Sequence, residues 1–330
     1  MGMGTALDDF EQCVFAAKSR RDDVRSRCTS GGMYWELAVR TILDEGVVYG
    51  CAFDESLRAH HVRCSTLAEV ERCMGSKYSQ SDVGDTFSQV LADLKRGRSV
   101  LFTGTPCQVA GLVGIVPAGL RDSILLVDLV CHGAPSPTLF QQHLGAMERA
   151  RDKRIVGYEH RPKNVPWGEH LEMARYDDGS QEQGTRLSGV WRQLFYSNTA
   201  LRPACYACPW SIDRRKSDIT IADYWGIDQC LPGYRDAKGV SLVIVNSLRG
   251  HRAFEELDVE AVPTSLESAC AGNPNLRRPT ARPEQRDEVW ESFWSKGFRA
   301  TCQAYGFRIS LVKQLYRKLK LLLSVAGLRR

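Results

Sequence analysis

Apolar positions along this chain change their period several times, and each change marks an element. After Ser30-Gly31-Gly32 the run MYWELAVRTILDEG repeats apolar residues at helical spacing and stops at Gly46, which predicts a helix over 33–45 with a glycine-rich entry. VVYGCAFD (47–54) and LRAHHVRC (57–64) predict strands, and helices at 67–74 and 82–96 follow, separated by a loop, SKYSQS. Then SVLFTG (99–104) and SILLVDLV (123–130) form short, almost continuously apolar runs joined by the helical stretch TPCQVAGLVG. That pattern predicts a parallel pair within an α/β sheet whose two faces are both covered.

Further on, Ser136 as N-cap and Pro137 at the first helical position start another helix. Residues 155–185 alternate and predict an antiparallel hairpin, DITIADYWG and GVSLVIVNS predict two more strands, and a helix is expected over 250–257. The proline- and arginine-rich stretch 261–290 reads as an extended arm. The expected fold is mixed α/β: two closely joined lobes, 1–98 and 99–300, with a partly parallel sheet and a C-terminal amphipathic helix in a basic tail, 301–330.

Charge changes the picture mainly at that tail. The chain of 330 residues carries a formal +5, but seven basic residues and no acid lie from 308 onward, leaving −2 for the rest. Nucleic-acid binding is therefore not expected of the body. In the tail Ile309, Val312, Leu315, Leu319 and Leu322 recur at helical spacing against the basic face, so peripheral contact with the inner membrane face through 308–330 is one expectation and docking on protein is the other. The acidic start MGMGTALDDFEQC has no export-signal pattern, which points to the cytoplasm.

Twelve cysteines in such a chain suit metal ligation better than disulfides. Cys107 and Cys131 each lie just past the carboxyl end of one predicted parallel strand, roughly 5 Å apart at the backbone if the strands are neighbours. That edge is where open α/β sheets bind ligands. Cys205 and Cys208 form a C-x2-C pair followed by Pro209, a spacing that lets both sulfurs face one centre. Four thiolates are the ligand count of a [4Fe-4S] cluster, but spacing alone leaves a zinc site, a redox dithiol or plain buried cysteines open. Cys51, Cys64, Cys73, Cys230, Cys270 and Cys302 lack paired spacing and read as small hydrophobes.

Weaker signals surround this set. Ser30, Gly31 and Gly32 offer backbone amides at a helix start, suited to a phosphate or to a plain cap. The turn at 104–108 lets backbone approach a ring closely, and Lys77 and Tyr78 could contact a phosphate and stack on a ring. His132 follows a candidate ligand and is a candidate proton shuttle, or a hydrogen-bonded structural residue.

Taken in order, TSGG (29–32), VVYGCAFD, GSKYSQSDVGDTF (75–87), VLFTGTPCQVAGL (100–112), DLVCHGAPSP (128–137), LRPACYACPW (201–210), DITIADYWG and GVSLVIVN resemble the coenzyme F-420 hydrogenase/dehydrogenase beta-subunit family, over about residues 12 to 300. The likeness is strongest to bacterial members found among polysaccharide-biosynthesis genes. It implies an oxidoreductase with FAD and a [4Fe-4S] cluster, passing electrons between an iron-sulfur partner and a small-molecule two-electron acceptor. By position it assigns Cys107, Cys131, Cys205 and Cys208 to the cluster. It assigns Ser30, Gly31, Gly32, Lys77, Tyr78, Gln80, Ser81, Thr103, Gly104, Thr105, Pro106 and, by analogy, Asp223 to the flavin, and leaves His132 as the catalytic candidate. Relatives often begin with a ferredoxin-like domain, whereas only Cys13 lies in the first 27 residues here, so a separate iron-sulfur protein is the expected electron partner. Ala222 stands where relatives have glycine, and Cys28-Thr29 replaces the usual serine. The alternative, from a different class, is a zinc-stabilised non-redox accessory protein in surface-polysaccharide biosynthesis.

Overall fold

A computed structural model describes residues 10–307. The amphipathic tail expected from 308 onward lies outside the described residues. The chain runs β1 (Cys13–Ser19), α1 (Asp22–Arg27), α2 (Met33–Leu43), β2 (Val47–Phe53), β3 (Ala59–Cys64), α3 (Leu67–Arg72), α4 (Thr86–Lys95), β4 (Val100–Gly104), α5 (Pro106–Ile115), β5 (Ile124–Leu129) and α6 (Pro137–Arg151). It continues with β6 (Ile155–Glu159), β7 (Met173–Tyr176), β8 (Gln181–Gln183), α7 (Val190–Tyr196), β9 (Ile219–Asp223), α8 (Ile227–Cys230), β10 (Ser241–Val245), α9 (Leu248–Glu255), β11 (Val259–Thr264), α10 (Leu266–Gly272) and α11 (Arg286–Ala304). The last helix is two pieces meeting at Gly297, whose φ of 80° breaks the helical path.

The class is mixed α/β, as expected. An eight-stranded sheet has the order β11-β1-β10-β9-β5-β4-β2-β3, with β2, β4, β5 and β9 mutually parallel and the strands at either end antiparallel. Strands alternate between two cores. Val47, Tyr49, Val100, Phe102, Ile124 and Leu126 face α4 and α5, while Val48, Leu101, Val127 and Ile219 face α2 and α3. Burial on both faces is why these strands read as continuous apolar runs. The sheet draws strands from both sides of residue 98.

Two expectations need correction. The stretch 261–290 is not one extended arm: it holds most of the edge strand β11, then α10, capped by Ser265 accepting from Ser268 N, and the start of α11. Pro263 misleads because an edge strand tolerates a missing N–H. The alternating stretch 155–185 is a three-stranded sheet, β6-β7-β8, in which a loop of 160–172 separates the first two strands.

That small sheet packs with α6, α7 and α11 around Phe140, Tyr158 and Trp191. His143 is buried there, 3.2 Å from the Tyr158 hydroxyl. Burial pushes its imidazole down to about 3. The unfolded imidazole takes up its proton near 6.5, so this contribution to stability is complete above that pH and is lost on descent toward 3, at about 1.4 kcal/mol per pH unit. Below about pH 5.5, urea unfolding should show a pH slope to which His143, His160 and His170 all contribute, and His143→Gln should lower it by about 1.4 kcal/mol per pH unit.

Candidate functional site

The carboxyl ends of β4, β5 and β9 share one edge of the sheet, and the residues just beyond them wall a cavity of about 1060 Å³. The cavity is large enough for a dinucleotide cofactor. Cys107 comes from the first turn of α5 and Cys131 from the loop after β5. Cys205 and Cys208 come from the short helical turn Pro203–Ala207 and its end. All four cysteines line this cavity.

Backbone contacts bring these segments together. Arg202 N donates to Ala134 O at 3.0 Å, and Ala134 N donates to Cys205 Sγ at 3.3 Å, so the C-x2-C turn is clipped onto the loop that carries Cys131. Beneath it Asp128, at the end of β5, accepts from Arg215 Nη1 at 2.8 Å and from Thr220 Oγ1 at 2.6 Å. Arg215 also donates to Leu129 O at 2.9 Å, which ties the chain after Cys208 to β5. From behind, Trp290 Nε1 donates to Thr199 O and Arg286 Nη2 to Leu201 O, so α11 braces the same turn.

Burial, reinforced by the other three thiols, pushes Cys131 up to about 12, and burial likewise raises Cys205. A multivalent iron centre that takes all four as thiolates removes that repulsion, so the donor set fits an iron-sulfur cluster. Among the described residues no group of three or more His, Cys, Asp or Glu is disposed around a single ion.

Of the other residues singled out, Ser30, Gly32, Lys77, Tyr78, Gln80, Ser81, Thr103, Gly104, Thr105, Pro106, His132 and Asp223 all line the cavity. Gly31 does not. Its carbonyl accepts from Ser19 N and its amide donates to Ser241 Oγ, and a Cβ there would sit 2.3 Å from Ala17 O and 2.8 Å from Ser241 N. Gly31 is thus a packing requirement, while Gly32, at φ 98°, makes the left-handed turn into α2. Gly31→Ala should lower the unfolding free energy by roughly 1–3 kcal/mol through displaced backbone, checked by urea denaturation.

Side-chain partners refine the remaining roles. Lys77 Nζ donates to Met74 O at 2.8 Å, closing the end of α3, and Tyr78 stacks on Phe195 with ring centres 4.7 Å apart. Gln108 accepts from Thr105 N at 2.9 Å and donates to Ser81 Oγ at 2.8 Å, while Gln80 N donates to Pro135 O at 3.0 Å. These bonds lock the 76–81 loop against both cysteine-bearing turns. Asp223 accepts from Trp167 Nε1 at 2.7 Å and pairs with Arg161. His132 Nε2 donates to Asn198 Oδ1 at 2.7 Å.

Sequence reading passed over His61, which lines the cavity from β3. Its Nε2 donates to Thr103 O at 3.0 Å, and its buried Nδ1 has no protein partner, leaving an acceptor for a donor on a bound ring. No spacing rule marks a single histidine on a strand. The orphaned acceptor, the cavity size and the turn into α2 together fit a flavin nucleotide.

No curated protein sequence matches the chain. Among solved structures, one similar fold is a chain of the F420-reducing [NiFe] hydrogenase complex from Methanosarcina barkeri, determined with xenon. The TM-score is 0.54 at 16% identity, over 84% of this chain and 91% of that one, a likeness of fold. The family model for the C terminus of the coenzyme F420 hydrogenase/dehydrogenase beta subunit matches residues 97–265, the span that holds all four cysteines of the cavity. By that match the chain belongs to the coenzyme F420 hydrogenase/dehydrogenase beta-subunit family.

Proposed function

We propose that the chain is an oxidoreductase subunit with FAD in the cavity and a [4Fe-4S] cluster on Cys107, Cys131, Cys205 and Cys208. It passes electrons between a separate iron-sulfur protein and a small-molecule two-electron acceptor. The observation that carries this reading is the meeting of four cysteines, from three separate segments, on one wall of a cavity of cofactor size. When bound, the flavin supplies hydride chemistry and the cluster single electrons.

The chain's own part is holding and screening. The amide of Ala134 donates toward Cys205 Sγ and stabilises it as a thiolate. His132 keeps a proton on Nε2 toward Asn198 beside Cys131, and in this reading it is the ring that exchanges protons with the acceptor. Exposed Arg202, Arg214, Arg277 and Arg278 line the cavity near the C-x2-C turn, a basic rim that suits an acidic iron-sulfur partner. Among the described residues no helix is long and apolar enough to cross a membrane. A thiolate-ligated cluster further suits the reducing cytoplasm.

Anaerobic purification followed by absorption spectroscopy and iron, sulfide and flavin analysis tests the reading. A brown protein with iron and sulfide in the ratio of a [4Fe-4S] cluster and bound FAD is expected. A colourless, zinc-loaded protein without flavin rejects it.

A further inference from the structure

A second group of thiols stands on the cavity wall away from the four cysteines, where β2, β3 and α3 meet. Cys64, at the end of β3, is fully buried, and its Sγ lies 3.8 Å from Sγ of Cys73, at the end of α3. Cys73 lines the cavity, as does Cys51 on the neighbouring strand, whereas Cys64 is sealed behind them. Gly50 makes this contact fit: a Cβ there would lie 3.1 Å from Cys73 Sγ and 2.9 Å from the Tyr34 hydroxyl. That hydroxyl is buried beside the Cys73 thiol and acts on it as a hydrogen-bond donor.

Two cations lie near the pair, Lys77 and Arg72, and of these Lys77 lines the cavity. Among the described residues no carboxylate forms an ion pair with Lys77, and the acidic groups it faces are the thiols of Cys51 and Cys73. Burial pushes the Lys77 ammonium down while the Cys51 and Cys73 thiols oppose that shift, so the ammonium and a thiolate at Cys73 favour each other. The two partners of the pair move in opposite directions. The S–H of Cys64, and after it Lys77, hold the Cys73 thiol below its ordinary range, while Cys64 keeps its proton. One thiol is thus poised at the cavity surface and the other lies in contact behind it. Forming a disulfide would close the sulfurs from 3.8 Å to ~2.05 Å.

We propose that Cys64 and Cys73 are a redox-active dithiol that exchanges two electrons with the flavin of the cavity. In the forward direction the two S–H bonds break and one S–S bond forms. Oxidised flavin, the oxidant, takes up the two electrons and both protons, and reduced flavin reverses the step. Cys73 is the thiol that meets the flavin, Lys77 balances its charge, and Cys64 completes the disulfide. The proposal rests on the flavin reading above and gives the chain a two-electron store separate from the cluster.

Two measurements on the full-length protein test it. In the first, the anaerobic protein is equilibrated in glutathione buffers of graded poise, acid-quenched, unfolded, alkylated and peptide-mapped. A Cys64–Cys73 disulfide that appears and disappears with the poise is expected, and both residues fully alkylated at every poise overturns the proposal. In the second, the FAD-loaded protein is titrated with dithionite beside Cys64→Ser and Cys73→Ser, each checked for folding by circular dichroism. The wild type should take up two electrons per chain more than either variant. In reduced-thiol Cys64→Ser, a long-wavelength charge-transfer band should mark the Cys73 thiolate against oxidised flavin. Retained FAD with equal electron uptake in all three and no such band overturns the dithiol and leaves the flavin reading standing. If FAD does not bind at all, the flavin reading falls, and the dithiol with it.

Discussion

On the proposed reading, Cys131→Ser is expected to be purified anaerobically without the iron and brown absorption expected of the wild type, and its electron transfer to an artificial acceptor is expected to fall by more than roughly 100-fold, since groups that only support a metal ligand already cost 10–100-fold when removed. Cys131 is the most demanding of the four positions. Burial opposes its ionisation, pushing it up to about 12, and Cys205, Cys107 and Cys208 add to the cost. Serine is nearly the same size but is a far weaker ligand at neutral pH, so a group that depends on thiolate charge is lost while the backbone around 131 is kept. Cys230→Ser serves as the control, because that thiol sits in the separate cluster around Tyr224 and donates to Ile227 O at 3.5 Å. Iron and sulfide analysis, with circular dichroism to establish folding, checks the outcome. Equal iron in wild type and Cys131→Ser would remove this residue from the ligand set.

Arg215→Met is expected to destabilise the fold by about 3–5 kcal/mol, the cost of leaving a buried charge without its partner. The guanidinium of Arg215 and the carboxyl of Asp128 are 1% and 0% exposed, so neither water nor salt screens the pair. Burial already holds the Asp128 carboxyl above the ordinary carboxylate range, with Arg215 opposing it. Without Arg215 the folded state favours the protonated carboxyl still more. A folded-state carboxyl held above its unfolded value loses stability as pH rises, so the deficit of Arg215→Met should be larger at pH 8 than at pH 5. Urea unfolding of both proteins at the two pH values measures it. Because Arg215 also ties the chain after Cys208 to Leu129 O, the variant should hold less iron at neutral pH even where it remains folded. The double variant Asp128→Leu/Arg215→Met, which removes both charges, should recover most of the lost stability.

The parallel pair β4–β5 was legible because its residues carry the signal locally. Val100 to Phe102 and Ile124 to Val127 are apolar on both faces, and each run is bounded by turn residues. The cap of α6 was legible for the same reason, since Ser136 and Pro137 act within one turn of themselves. β1 escaped because CVFAAKS is short, alanine-rich and ends in lysine and serine. It is a strand only because Cys13–Ala17 pairs with Ser241–Val245 on one side and Val14–Ser19 with Val259–Thr264 on the other. Partners more than 200 residues away leave no mark in a local window. α7 was missed likewise: seven residues, VWRQLFY, are too few to show a helical period.

The same divide separates the candidate residues. Sequence alone determined which residue types were available: the C-x2-C pair, two cysteines at strand ends, the glycine turn and the 76–81 loop, because spacing and strand ends are properties of neighbours along the chain. Tertiary structure alone decided that Gly31 serves packing, that Tyr78 stacks on Phe195, and that Asp223 is held by Arg161 and Trp167. It alone set Cys64 against Cys73 and left an acceptor open on His61. Contacts between side chains from different elements depend on how the sheet is ordered and how helices close over it, and no local pattern in the chain encodes that order.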